Sequence, residues 1–319
     1  MAKYDLSIIV VAWNVRELVD ECFSAIRKSD DSLRKQIILV DNGSEDDTVA
    51  FVRDKYPEVE LIESPINLGF IRANNLAYKQ AEGEYILMLN SDAFVFPESL
   101  RLTVDFMKEH PDAGVVGARL IGRDGVLQPS ARYFPTPFKN FLGQLGLDGK
   151  IPMIKPLDDL SWDHKGVREC DWVVGCYLLA RKELIDQTGF FLREDFFMYN
   201  DDNDLCFRIK KLGYKTYFYP VDVIHVGGAN MKKMHKKVTT KGAQVQKYQI
   251  ESQMIYFRKN YGFWKVVSNW FFLILFDFVE GCKNIIRFRF SELVNVTWPH
   301  SWLVGAVTIK TGFGKKRIH

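Results

Sequence analysis

The sequence predicts an α/β fold, a doubly wound and mostly parallel sheet followed by a basic, helical C-terminal extension. Three observations carry this expectation. Apolar runs at 6–13, 37–40, 59–62 and 85–89 alternate with helical patterns at 16–28, 48–55 and 70–80. The runs are short and nearly continuous, as in strands covered on both faces. Charge is also divided along the chain: up to His225 there are 27 basic and 36 acidic residues, and beyond it 16 and 4, so an overall +3 conceals about −9 in front and +12 behind. Such a tail points to an anionic partner, with lipid headgroups, a diphosphate-linked acceptor and nucleic acid all admissible.

At 319 residues and 47% hydrophobic content, the chain can bury one large core, or a core plus an appendage, which excludes a disordered protein. Its five cysteines (Cys22, Cys170, Cys176, Cys206 and Cys282) form no CxxC pair, and their odd number argues against a complete disulfide framework. The apolar strand begins without a basic leader or cleavage site, so a cytoplasmic location is expected.

Further along, 122–168 holds five prolines with weak periodicity and reads as loops and short helices beside the site. An apolar strand is expected over 172–180, then a helix at 182–187, a helix near 205–212 and a strand at 215–219. Between 266 and 279, 11 of 14 residues are apolar, but Ser268, Asn269 and Asp277 interrupt them, and a membrane span needs about 20. Lys265, Lys283, Arg287 and Arg289 flank this segment, which suits a helix lying on an anionic membrane; a buried packing or dimerisation helix is the alternative. The cluster Lys232, Lys233, Lys236, Lys237 and Lys241 reads as a solvated loop, with contact to donor or acceptor phosphates as the alternative.

In open α/β sheets ligands bind outside the carboxyl ends of the strands. Asn90-Ser91-Asp92 follows one such run, where a carboxylate suits Mg²⁺ or Mn²⁺, hard ions that bridge diphosphate oxygens; a capped turn explains the same residues. Asp41, in Val40-Asp41-Asn42-Gly43-Ser44, can accept a base N–H, or simply begin an ordinary turn. Asn67-Leu68-Gly69-Phe70-Ile71-Arg72-Ala73-Asn74-Asn75 enters a helix with an Arg in its first turn, a combination suited to phosphate; a solvated Arg beside a capping Asn explains it too. Asp201, Asp202 and Asp204 lie within four residues, and such repulsion calls for a cation, a helix N-terminus or proton transfer. His225 follows a strand and precedes two glycines; a satisfied core histidine is the ordinary explanation, and a ligand to a metal held by Asp92 is the functional one.

Taken in order from Ser7 to about Gly228, these segments resemble glycosyltransferase family 2, whose members share the GT-A fold. Ile9 to Asn14 resembles the family's first strand, so Ala12, Trp13 and Asn14 are expected at the nucleotide, with Asp41 as the acid that reads a pyrimidine base. Asn67, Gly69, Arg72, Asn75, Asn90 and Ser91 complete the expected nucleotide-sugar set. Asn90-Ser91-Asp92 stands where the family's DxD motif belongs; Asn replaces the first acid, which leaves Asp92 to carry more of the metal. His225 corresponds to the histidine that completes the metal site in several members.

Residues 171–181 look like the acceptor-side segment, with Trp172 and Gly175. Phe196 to Cys206 looks like the FFMYxEDxDLC signature, where Asp201 replaces the usual Glu and Asp202 matches the catalytic base. The stretch 124–135 resembles rhamnosyltransferase-like members, and no QxxRW motif of processive synthases is present. The resemblance implies an inverting, metal-dependent transfer of one sugar, with rhamnose one candidate, from a dTDP or UDP donor to a lipid-linked or oligosaccharide acceptor. It implies a catalytic domain over 1–228; the remaining basic, aromatic-rich extension over 229–319 is expected, from its charge and apolar pattern, to contact acceptor, membrane or a second subunit, as in a homodimer. The rival class is a catalytically silent nucleotide-binding or scaffolding protein, favoured by the departures at Asn90 and Asp201. No recognition motif supports nucleic-acid binding.

Overall fold

The computed structural model describes residues 2–29, 32–147, 149–151, 154–227 and 243–318. Gly228 and the lysines from Lys232 to Lys241 lie outside the described residues. The chain forms two compact units. The first takes the chain up to Arg132, Leu160–Glu194 and the segment that begins at Asp201; the second takes Tyr133–Asp159, Asp195–Asn200 and the C-terminal helices.

The first unit opens with β1 (Tyr4–Ala12), α1 (Arg16–Arg27), β2 (Lys35–Asp41), α2 (Thr48–Lys55), β3 (Glu60–Glu63), α3 (Phe70–Tyr78) and β4 (Gly83–Asn90). These elements match the expected alternation to within a few residues. Their burial follows from the apolar runs: Leu6, Ile8 and Val10 of β1 pack with Val19, Cys22, Phe23 and Ile26 of α1, a helical i, i+3, i+4, i+7 stripe. Residues 93–121, for which the sequence pattern singles out no element, hold β5 (Ala93–Val95), α4 (Ser99–Glu109) and β6 (Ala113–Ile121). Then come β7 (Leu127–Gln128), β8 (Ala131–Arg132), the second unit's α5 (Pro137–Gln144), β9 (Arg168–Cys170), β10 (Trp172–Val173), β11 (Tyr177–Arg181), α6 (Lys182–Gln187), α7 (Asp201–Lys211) and β12 (Lys215–His225).

The main sheet runs β3-β2-β1-β4-β11-β6-β12-β5. The strands β3, β2, β1 and β4 are parallel, as are β6 and β12, while β11 lies antiparallel between β4 and β6. The fold is therefore the expected α/β type with a mixed, largely parallel sheet.

Two strands differ from expectation. The single strand read over 172–180 is two: β10 pairs with β8 in a separate ribbon, and β11 joins the main sheet. The break falls at Gly175, where a Cβ would meet Met88 Cε at 2.6 Å. An unbroken apolar run conceals such a break, because both halves are buried. Second, β12 continues beyond Tyr219 to His225, with a register shift against β6 between Phe218 and Asp222 that accommodates Pro220.

In the second unit, Thr136 caps α5 by accepting a hydrogen bond from the Lys139 N–H at 3.1 Å. The longer helices that follow are α8 (Ala243–Tyr261), α9 (Phe263–Ile286) and α10 (Trp298–Lys310), with short helical turns at Phe290–Glu292 and Leu293–Thr297. The helix α9 packs on α5, α8 and α10, with Phe272 against the rings of Phe138 and Phe141. Among the described residues, no helix is long and apolar enough to cross a membrane.

Candidate active site

Parallel pairing places the ends of β1, β2 and β4 side by side: Ala12 is in register with Asp41, and Val11 with Asn90. The segments after these strands therefore converge. Asn14, at φ +56°, donates its N–H to Ser44 Oγ at 2.9 Å, and its side-chain Oδ1 accepts from the Glu45 N–H at 2.7 Å. This bracing joins Ala12-Trp13-Asn14 to the turn after Asp41. Gly43 adopts φ +79°, and a Cβ there would lie 2.7 Å from the Ile66 carbonyl carbon, so the turn's close approach to the next crossover requires glycine.

Asp41 is buried, with one carboxylate oxygen accepting from the Ser44 N–H at 3.1 Å. Its other oxygen, Oδ1, has no hydrogen-bond partner among the described residues. A buried acceptor of this kind is able to receive a hydrogen bond from a ligand. Asn42 joins the turn to the Asn67 segment: it donates to Asn67 Oδ1 at 3.1 Å and accepts from the Leu68 N–H at 2.7 Å, while Asn67 Oδ1 also receives the Gly69 N–H at 2.9 Å. Asn67 and Gly69 thus shape the entry to α3. Arg72 is exposed and faces Glu194 at 3.4 Å. Asn75 binds the backbone of Leu192 in both directions, at 2.8 and 2.9 Å. The structure places these two residues against the 192–194 segment.

At the end of β4, Asn90 Oδ1 and Ser91 Oγ are buried without partners among the described residues. Asp92 is buried, and its backbone carbonyl accepts from the Val226 N–H at 3.0 Å. That bond continues the antiparallel pairing in which His225 lies opposite Ala93. The result sets His225 Nε2 3.7 Å from Asp92 Oδ1. Gln128 determines which ring nitrogen is free: its Nε2 donates to the His225 carbonyl at 2.9 Å, so its Oε1 accepts from Nδ1 at 2.7 Å. Nε2 then presents a lone pair beside Asp92, a donor set of imidazole nitrogen and carboxylate oxygen that fits a divalent cation. Burial lowers the His225 pKa, favouring the neutral ring that a metal needs, although the Asp92 charge opposes the shift. Among the described residues no cluster of three or more such side chains occurs; remaining positions would fall to ligand oxygens and to Asn90 or Ser91.

The acidic group resolves into separate roles. The helix α7 begins at Asp201, earlier than the expected 205, so all three carboxylates occupy its first turn, where the helix dipole favours them. Asp204 is fully buried and ion-paired with Arg208 at 2.9 Å and Arg193 at 3.2 Å, and Arg208 donates onward to the Phe190 and Phe191 carbonyls. Asp204 is therefore part of the framework. Asp202 turns toward Gly175, accepting from its N–H at 3.1 Å and from the Asn203 N–H at 2.8 Å. Burial raises its pKa, and those two N–H groups and the charge of Arg132 oppose the shift. Burial and the adjacent Asp202 charge raise the Asp201 pKa. A buried carboxyl, Asp201, and its half-buried neighbour Asp202 do not both ionise readily. The hydrogen bonds and Arg132 favour the anion on Asp202, so Asp201 holds the proton. Trp172 stands beside this turn, paired in register with Arg132, whose guanidinium lies over its ring at 4.9 Å.

Gln128, Asn42, Ser44 and Arg132 carry no site role in the sequence reading. Gln128 lies 97 residues from His225, and only the β7–β6–β12 pairing brings them together. Cys22 and Cys176 are buried near Asp92, and burial pushes both thiols up, away from reactivity.

Residues 7–156 match the model of glycosyl transferase family 2; that segment belongs to the family, and the chain is a glycosyltransferase. It is similar, at 25% identity over 252 residues, to the N-acetylglucosaminyl-diphospho-decaprenol L-rhamnosyltransferase of Mycobacterium tuberculosis, covering 73% of this chain and 78% of that protein. The fold is similar to that of the mannosyltransferase PcManGT from Pyrobaculum calidifontis, solved with GDP-Man and Mn²⁺, at a TM-score of 0.54 and 16% identity over 98% of this chain and 88% of that one. It is also similar to residues 1–349 of TarS from S. aureus, at a TM-score of 0.50 and 15% identity over 97% and 92% of the two chains. These likenesses establish the GT-A type of fold.

Proposed function

We propose that the protein transfers a single sugar, with inversion, from a pyrimidine nucleoside diphosphate donor to a hydroxyl of a lipid-linked or oligosaccharide acceptor. The observation that carries this reading is the convergence, at the strand ends on either side of β1, of Asp41, whose Oδ1 has no partner among the described residues, and the Asp92–His225 pair. Asp41 would accept a base N–H, with Ala12, Trp13 and Asn14 forming the pocket wall. Asp92 and His225 would hold Mg²⁺ or Mn²⁺. When bound, such an ion offsets the charge that gathers on the departing diphosphate. The similarity to a rhamnosyltransferase named for a diphospho-decaprenol-linked acceptor supports rhamnose as the sugar and a lipid-linked acceptor.

Asp202 acts as the base. It takes the acceptor proton while the acceptor oxygen attacks the anomeric carbon, and the electron pair of the breaking C–O bond leaves with the diphosphate. One displacement inverts the carbon and needs no covalent intermediate. Gly175 and Asn203 orient the carboxylate through their N–H groups, and a protonated Asp201 leaves Asp202 the charged member of the pair.

The test is calorimetric binding of UDP, dTDP and GDP with and without Mn²⁺ or Mg²⁺, followed by product analysis with the donor that binds. Metal-dependent binding of one pyrimidine diphosphate is expected. Absence of nucleotide binding under every condition would refute the reading and favour a scaffold.

A further inference from the structure

The helix α9 is inverted with respect to an ordinary surface helix. Its covered side includes Asn269, Asp277 and Asn284, each 8% exposed or less. Trp264, Phe271, Phe278 and Ile285, spaced at successive intervals of seven, are 79%, 53%, 67% and 51% exposed. That spacing keeps the four on one stripe of the helix. The covered polar groups are satisfied within the same unit. Asn269 donates to Gln253 Oε1 at 3.1 Å; Asp277 accepts from His300 Nδ1 at 2.8 Å and from Ser301 Oγ at 2.7 Å; Asn284 donates to Thr297 Oγ1 at 3.3 Å. The next helix repeats the arrangement: in α10, Trp298 and Trp302 are 62% and 74% exposed, while Val304, Val307 and Thr308 are buried. A run of exposed aromatic side chains of this extent marks a contact surface.

Charge identifies the occupant. Only four acidic residues follow His225. Glu251 and Asp277 are buried, and Glu280 and Glu292 are ion-paired with Lys283 and Arg289. Arg287, Lys310, Lys315 and Lys316 are exposed. The C-terminal helical region that carries the aromatic stripe thus has an excess of exposed positive charge. A second copy of the same face would bring like charges together, whereas an anionic bilayer matches both the charge and the aromatic residues, which favour the headgroup boundary. We propose that α9 and α10 dock this stripe into the headgroup region of an anionic membrane, lying on it rather than crossing it. The inference does not depend on the identity of donor or acceptor.

The test uses the full chain with vesicles of phosphatidylcholine alone or mixed with phosphatidylglycerol, free of glycolipid. Co-sedimentation with the anionic vesicles is expected, falling by about fivefold for each of Lys315→Gln and Lys316→Gln. The double change Phe271→Ser, Phe278→Ser should reduce binding at least tenfold, while circular dichroism and nucleotide binding stay as in the parent. Brominated lipid should quench the parent's tryptophan fluorescence. Failure of the parent to bind anionic vesicles or to be quenched would overturn the proposal. So would a dimer in solution that the phenylalanine changes dissociate while vesicles bind neither form. Nucleotide binding, measured separately, reports on the transferase reading alone.

Discussion

Gln128 holds His225 at two points, donating to its backbone carbonyl at 2.9 Å and accepting from its Nδ1 at 2.7 Å. The second bond fixes the tautomer that aims the Nε2 lone pair toward Asp92. Second-sphere partners of this type alter metal affinity by roughly 10–100-fold. Gln128→Ala should therefore weaken Mn²⁺ binding by about that factor, read as the metal concentration needed for half-maximal nucleotide binding, while Gln128→Glu, which still accepts from Nδ1, should recover most of it. An unchanged metal requirement in Gln128→Ala would mean that this residue only joins β7 to β12.

Asp202 is the only acid of its group that accepts from the Gly175 N–H across the β10–β11 break. Asp202→Asn retains the size and loses the base, so kcat should fall by roughly 10²–10⁴-fold, with nucleotide affinity unchanged. The raised pKa of Asp202 has a further consequence. The base works only when deprotonated, so activity should be lost as pH falls through a value above the ordinary aspartate pKa of about 3.9. An acid limb of kcat/KM at the ordinary carboxylate value, or full turnover in Asp202→Asn, would exclude Asp202 from this role.

The parts of this site written in strand ends were legible in the sequence, because a short apolar run followed by Asn, Asp or Gly fixes both the strand and the ligand-facing turn. Asp41, Asn90 and Asp92 are candidates of this kind, and the parallel register brings their segments together. Residues 93–121 were not legible: β6 owes its central place to pairing with β11 and β12, which are distant in sequence. Gly175 and Gln128 illustrate the same limit. One breaks an apolar run without interrupting its hydrophobicity, and the other acts only through a strand pair. Local pattern also fails to divide three adjacent acids into Asp204, bound to Arg193 and Arg208, and the Asp201–Asp202 pair.

Asp41 has one buried oxygen satisfied by Ser44 and one without a partner among the described residues. A hydrogen bond from a base N–H to a carboxylate contributes about 1.5–3 kcal/mol, or roughly 10–100-fold in affinity. Asp41→Asn replaces an acceptor with an amide that also carries donors, so UDP or dTDP affinity should fall by that order while the fold is kept. Calorimetry with the separate diphosphates reads the effect, and equal affinity in the variant would place the base elsewhere.

Asp201 and Asp202 share one helix start, and the proton resides on the buried Asp201. In the unfolded chain Asp201 ionises near 3.9, while in the folded protein it stays protonated to a higher pH. Between those values the folded state binds a proton that the unfolded state lacks. The associated stability is therefore complete below the unfolded pKa and is lost as pH rises through the folded one. Asp201→Asn is neutral at every pH and resembles the protonated residue, so its melting temperature should match the parent's near pH 4 and exceed it increasingly toward neutral pH. Urea or thermal melts across that range measure the difference. If the difference is independent of pH, Asp201 is ionised in the folded protein, the proton resides on Asp202, and the base would have to be Asp201.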